Sequence, residues 1–400
     1  MAGGLIALAE AQKRLLALAT TKPANSVGLL EANGHILAEP LVAWRSQPAA
    51  DLSAMDGYAV RAVDLPGPWT IIGESAAGRP FDGAMGAGEA IRISTGAIVP
   101  ADADAVVVQE DTGIDGATLI LTGDGPARPG AHIRRAGHDF TEGALLATAG
   151  TRVDARLIAL AAMAGHGTLS VHAPVRVTIL STGDELVAPG TPLPSPAHIP
   201  ASNGIMLSAM LQGLPVDITM PPLLPDRLDL IAAALADHRD ADIIVTTGGA
   251  SVGDHDLIQP ALLQSGGTLD FWRIAMRPGK PVMVGRMGNA IVLGLPGNPV
   301  SSYVTALLLL LPLVRTFAGF QHVLPDILQA EAGTAFPANG ARQDFMRARI
   351  DGGRLFPVSS QDSGALSSLH AADALVVRAV HQPEAAPGDL LDYIALRSGA

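Results

Sequence analysis

A chain of 400 residues exceeds what one hydrophobic core supports, so about two to four domains are expected. With 16% charged and 48% hydrophobic residues it is a folded protein with large buried sheets, and its net charge of −12 argues against a nucleic-acid-binding surface. It has no cysteine, which excludes disulfides, thiolate nucleophiles, iron–sulfur ligation and cysteine-type zinc sites, and any metal must be held by oxygen or imidazole.

The N-terminal stretch lacks the basic region and cleavage site of a signal peptide, and Leu5, Leu8, Leu15 and Leu16 suit an amphipathic helix over about residues 2–20. From Asp51 the character changes to short strands punctuated by glycine and proline: Trp69–Gly73, Ala90–Ile93, Ala105–Gln109 and Thr118–Leu121. These form an all-β insertion whose polar residues gather at turns. Taken alone, Asp56-Gly57 is a turn signal and nothing more. Helical periodicity returns at Val153–Ala164 and stops at Gly165.

From Val175 strands and helices alternate. A strand Val175–Leu180 is followed by a loop holding Glu185, a proline-rich connection and a helix from Asn203. Next come a strand Val216–Met220, a helix to about His238, a strand opening at Ile243, and a strand Ala290–Leu293. This pattern predicts a parallel doubly wound sheet that binds ligands at the carboxyl ends of its strands. Glu185, Asp226 and Asp256 each follow a different predicted strand there. The run Ile243 to Asp256, I-I-V-T-T-G-G-A-S-V-G-D-H-D, ends a buried strand in Gly248-Gly249, tight enough either to cradle a phosphate or only to turn the chain. Carboxylates beside a phosphate imply a bridging hard cation. Asn298 is placed to cap a helix with Pro299 at its first position, a second N-terminus aimed at an anion. Between the two loops, Arg277 and Lys280 flank a Pro-Gly turn, where they either bind an oxyanion or remain solvated surface charges.

The apolar run Val304–Val314 is too short to span a membrane and is interrupted by Pro312, so it reads as a buried core helix. The chain is read as cytoplasmic, with no membrane and no nucleic-acid partner. After Gly319 five strands follow: Asp326–Gly333, Gln343–Ile350, Arg354–Val358, Ala374–Val380 and Leu391–Leu396. The eleven histidines show no ligand spacing, and His138 reads as a loop residue.

S-A-M-D-G-Y-A-V-R-A (53–62), I-S-T-G-A-I-V-P (93–100), R-R-A-G-H-D (134–139), L-S-T-G-D-E-L (180–186), T-T-G-G-A-S-V-G-D-H-D (246–256), R-P-G-K-P (277–281) and G-L-P-G-N-P-V-S-S-Y (294–303) occur in this order. Together they resemble the molybdopterin molybdenumtransferase (molybdenum insertase) family, related to the E-domain of gephyrin. The resemblance covers nearly the whole chain. It implies a multi-domain α/β plus β fold: a discontinuous helical or elongated linking domain (1–48 and 140–172, with part of 22–43 against the α/β unit), an inserted β-domain (49–139), an α/β molybdopterin-binding domain (173–320) and a C-terminal β-domain (321–400).

The activity it implies is insertion of molybdenum from molybdate into adenylated molybdopterin, with magnesium and release of AMP. Catalytic roles carry over to Asp56, Thr95, Asp139, Glu185, Asp226 and Asp256, the last three as magnesium ligands. Thr182, Gly248, Gly249, Ser251, Gly253, Pro296, Gly297, Asn298 and Ser301 would bind the pterin nucleotide, and Arg277, Lys280, Pro281, Arg347 and Ser363 would bind molybdate. A tetrahedral dianion requires such cations. The family is homodimeric with its active site at the interface, and molybdopterin adenylyltransferase and molybdoenzyme chaperones are the protein partners implied. His138 stands where glutamate is frequent in the family, and Arg277 where lysine is common. Two other readings are a gephyrin-type scaffold and a sister molybdopterin adenylyltransferase or nucleotide pyrophosphatase. The carboxylates favour catalysis over the first, and the two β-domains argue against the second.

Overall fold

The computed structural model describes residues 5–248 and 257–396, with no account of the side chains of Phe271 and Trp272. The central sheet has six strands in the spatial order Val216–Thr219, Val175–Ser181, Ile243–Thr247, Ala290–Leu295, Met283–Met287, Thr268–Trp272. The first four run parallel, as the alternating pattern predicts. The last two add as an antiparallel pair at one edge and are not among the predicted strands. The chain moves outward from Val175–Ser181 to one neighbour and returns to the other, so the strand order reverses between Val175–Ser181 and Ile243–Thr247. That reversal is where open α/β sheets take ligands.

Both faces of the sheet are covered. Val175, Val177, Ile179, Ile243 and Val245 pack into one core with the helices Asn203–Leu211 and Pro299–Thr305. Leu180, Ile244 and Val292 face the other way, onto the helices Leu228–Asp237 and Ile258–Gln264. This is the period of two expected of strands buried on both faces.

The apolar run 304–314 lies inside one continuous helical stretch, Pro299–Phe317, which passes Pro312 without a break. It is nineteen residues, long and apolar enough to cross a membrane by composition, but 78% of its apolar window is buried inside the protein, as befits a core helix. Residues Ala306–Leu310 widen into a π-helix just before the proline, which absorbs the missing N–H without stopping the helix.

The N-terminal helix is shorter than the sequence pattern, Leu8–Leu16, and its buried Leu8, Ala11 and Leu15 join the α/β core rather than the linking unit. Ala24–Gly28 pairs antiparallel with Thr168–His172, and Leu41–Val42 with Leu145–Ala147, so the two chain segments flanking the β-insertion are joined to each other. Asp154 caps the helix Ala155–Met163 through the Leu157 N–H. The insertion is a six-stranded mixed sheet built on buried Tyr58, Trp69 and Leu119. A third six-stranded sheet gathers the five strands after Leu328 and, at its edge, Met276–Arg277 from the α/β body.

Candidate functional site

A cavity of about 740 Å³ opens where the strand order reverses. Its floor is the carboxyl ends of two strands, Ser181-Thr182 and Thr247-Gly248. Its walls come from Glu185 and Leu186, from Ile199 to Asn203, from Pro296 to Pro299, and from Pro281. Gly364 and Leu366 of the C-terminal domain complete the rim.

Gly248 has φ +97°, and a Cβ there would lie 2.7 Å from the Thr182 carbonyl oxygen, so only glycine lets the two strand ends approach. Gly297 sits over it, since a Cβ on Gly297 would come 3.7 Å from the Gly248 Cα. Asn203 donates from Nδ2 to the Gly297 carbonyl at 2.6 Å and fixes the facing loop. The Glu185 loop is held by a short parallel bridge, Leu186–Val187 with Ile199–Pro200, in which the Ile199 N–H donates to the Glu185 carbonyl at 2.8 Å. The proline-rich connection is therefore part of the wall.

Several expected site residues converge here: Thr182, Glu185, Gly248, Pro281, Pro296, Gly297 and Asn298 all line the cavity. Ser301 is buried one turn into the helix behind them. Asp226 does not line it but lies beside the same loop, its N–H donating to the Asp184 carboxylate at 3.0 Å. Gly249, Ser251, Gly253 and Asp256 lie outside the described residues, so the expected grouping of Glu185, Asp226 and Asp256 is described only for its first two members. Among the described residues no group of three or more histidine or acidic side chains is placed to hold a metal ion.

Asn298 occupies the cap position with Pro299 at the first helical position, yet its side chain does not cap the helix. Instead Nδ2 donates to Ser363 Oγ at 2.9 Å, and the Val300 N–H donates to the Ser363 carbonyl at 3.1 Å. The helix end expected to await an anion is thus partly satisfied by the C-terminal domain, which seats Ser363 against it.

The expected oxyanion residues differ in state. Arg277 forms an ion pair with Asp344, and that hydrogen-bonded carboxylate raises the arginine's pKa further. Lys280 is exposed and forms no ion pair among the described residues. Arg347 is 2% exposed and donates from Nη1 to Ser368 Oγ at 2.7 Å; burial lowers its pKa, opposed by Asp362 and Asp344. Through these contacts it braces the segment that follows Ser363.

In the inserted sheet, Asp56 accepts the Thr95 N–H at 2.6 Å. That bond holds the Asp56 carboxyl below its ordinary range, with the Thr95 side chain and Arg92 acting in the same direction. Asp139 is fixed by its N–H to the Gln47 carbonyl at 3.0 Å. None of these three lines the cavity of their own chain.

Family models match the chain in three consecutive stretches: a MoeA N-terminal region (domains I and II) at 6–165, a probable molybdopterin binding domain at 178–316, and a MoeA C-terminal region (domain IV) at 329–396. The molybdopterin molybdenumtransferase of Haemophilus influenzae is 37% identical over 325 residues, 80% of each chain. That of Staphylococcus aureus is 30% identical over 99% of this chain and 96% of its own. The chain belongs to the molybdopterin molybdenumtransferase family. Its fold agrees: the crystal structure of the molybdopterin biosynthesis protein MoeA from Pyrococcus horikoshii matches it with a TM-score of 0.85 at 27% identity, covering 99% of this chain and 100% of that one.

For a molybdenumtransferase fold, three residues shape the site without having been singled out by sequence: Asn203, Asp184 and Asp344. Asn203 carried a signal, since it opens a predicted helix next to a proline-rich loop. Asp344 carried one too, an acid directly before the apolar Phe345-Met346 pair of a strand, where a buried charge needs a partner.

Proposed function

We propose that this molybdenumtransferase inserts molybdenum from molybdate into adenylated molybdopterin and releases AMP. The carrying observation is the meeting, at one sheet edge, of a glycine-lined cavity, the Glu185 carboxylate and the Pro281 end of the Arg277–Pro281 turn. Gly248 and Gly297 bring backbone close enough to bind the phosphates of the pterin nucleotide. Arg277 and Lys280 supply the cations that a molybdate dianion requires, with Arg347 and Ser363 behind them.

Molybdate gives up one oxo ligand, which leaves with the two dithiolene thiol protons as water while two Mo–S bonds form. Water cleaves the pyrophosphate linkage, giving AMP and the pterin monophosphate. Magnesium would neutralise charge on the phosphate oxygens during that cleavage. Such an ion needs one or two carboxylates besides substrate phosphate, and Glu185 provides a hard oxygen donor inside the cavity, so the residues fit it. Asp226 and Asp256 are the remaining acids of the set.

The position of Asp56, Thr95 and Asp139 away from the cavity of their own chain supports an active site completed across a homodimer, with the inserted domain of one subunit serving the α/β domain of the other.

The test is reconstitution of purified protein with adenylated molybdopterin, magnesium and molybdate, following AMP release and activation of an apo-molybdoenzyme. Molybdate-dependent release is expected in the wild type and its loss in Asp256→Ala and Lys280→Ala. Nucleotide binding with no release at any molybdate concentration would overturn the proposal.

A further inference from the structure

The turn that carries Arg277 and Lys280 is not free-standing. Met276–Arg277 pairs in parallel with Gln343 and Asp344, so a piece of the α/β body forms the edge of the C-terminal sheet. Arg277 thereby stands opposite Asp344, and its Nη2 forms an ion pair with that carboxylate. Asp344 is only 4% exposed. On its other side it faces Arg378 in the neighbouring strand, itself 1% exposed, with Nε and Nη1 lacking hydrogen-bond partners. Arg347, three positions along the same strand, also feels the Asp344 charge. One buried carboxylate therefore serves three guanidinium groups, of which Arg277 alone has an exposed side chain (56%).

We infer that Asp344 is the positioning residue of the oxyanion turn, fixing the guanidinium of Arg277 so that its remaining donors meet molybdate. This rests on the proposed role of the Arg277–Pro281 turn. The guanidinium is planar and presents its donors as a rigid fork, so anchoring one edge sets the direction of the others. A lysine in this position has a single flexible ammonium and gains no such orientation.

Two effects of Asp344 oppose each other. Its charge repels a dianion, whereas its grip on Arg277 pre-orients a bidentate donor. If repulsion dominated, neutralising Asp344 would tighten molybdate binding; if positioning dominates, it weakens binding. The ion pair already leaves Lys280 and the buried Arg347 and Arg378 to maintain a positive field, so orientation is the scarcer quantity.

The experiment measures the molybdate dependence of AMP release in the full-length protein for wild type, Asp344→Asn, Arg277→Lys and the double variant, with thermal melts alongside. For Asp344→Asn the half-saturating molybdate concentration is expected to rise about tenfold or more while the maximal rate stays within about twofold. Arg277→Lys is expected to show the same split, and the double variant to be no worse than Arg277→Lys alone, because both remove one oriented donor. Unchanged or tighter molybdate use by folded Asp344→Asn, or additive losses, would overturn the inference. If Asp344→Asn does not fold, Arg277→Lys decides by itself, since it keeps the charge and loses the fork: unchanged half-saturation overturns the inference. Absence of molybdate-dependent release in the wild type would instead overturn the function on which it rests.

Discussion

Gln12 Nε2 donates to the carbonyl oxygen of Leu308 at 2.9 Å, joining the N-terminal helix to the middle of the Pro299–Phe317 helical stretch across 296 positions of sequence. In an α-helix that carbonyl would take the N–H of residue 312, which is proline and has none. The π-helical widening and Gln12 together answer the defect. Gln12→Ala leaves a carbonyl on a 2% exposed residue without its side-chain donor and is expected to cost about 1–3 kcal/mol. Gln12→Glu, which has no donor when ionised, should cost at least as much. Urea unfolding of both variants measures this, and no loss in either would show that the bond is incidental.

Much of this architecture is legible in the sequence for a physical reason: strands buried on both faces are rich in apolar and β-branched residues, as Ile243–Thr247 is throughout and Val175–Leu180 is except at the exposed Arg176. Met283–Met287 escaped because it carries Gly285 at its centre, which lowers strand propensity. The glycine is needed there, since a Cβ would come 2.4 Å from the Thr268 carbonyl oxygen. The pairing of Arg277 with Asp344 was not legible, because 67 residues separate them and only the joining of Met276–Arg277 to the C-terminal sheet brings them together. Asn298 illustrates a subtler limit. Its residue type marks the helix start, as position does, but its side chain answers a loop from another domain.

Gly248→Ala tests the floor of the cavity. At φ +97°, with backbone oxygen 2.7 Å from the new methyl, the strand end must shift, at an expected cost of about 1–3 kcal/mol. Because Gly248 lines the cavity in which the nucleotide phosphates would lie, affinity for adenylated molybdopterin should fall by about tenfold or more. Calorimetric titration beside a thermal melt separates the two; full affinity in the variant would remove the Gly248 loop from the site.

Asp56 supplies a pH prediction. The Thr95 N–H favours the charged carboxylate, so its pKa in the folded protein lies below that of an ordinary aspartate. A depressed carboxylate contributes stability that is present above the unfolded pKa and lost as pH falls through the folded one. Its contribution to stability is therefore constant from neutral pH down to about pH 5 and declines below that. The carboxyl carbon shift of Asp56 should titrate below the ordinary midpoint, and still do so in Thr95→Ala, which keeps the backbone donor. A midpoint above the ordinary value would contradict the hydrogen bond. Asp56 is thus ionised throughout the physiological range and suits a base or a cation ligand rather than a proton donor.

Ser363 is placed to separate structural from chemical roles. Its carbonyl accepts the Val300 N–H and its hydroxyl accepts from Asn298, so Ser363→Ala keeps the first contact and loses only the second, at a half-buried position. The stability change should therefore stay within about 0.5 kcal/mol. If the hydroxyl also donates to molybdate, a charge-assisted bond of about 1.5–3 kcal/mol is lost, and half-saturating molybdate rises roughly tenfold to a hundredfold. Should stability and molybdate dependence both stay as in the wild type, Ser363 serves only to seat the C-terminal loop on the helix. In that case the oxyanion contacts reduce to Arg277, Lys280 and Arg347, and Lys280→Ala would then be the more damaging change, because no carboxylate among the described residues forms an ion pair with that ammonium.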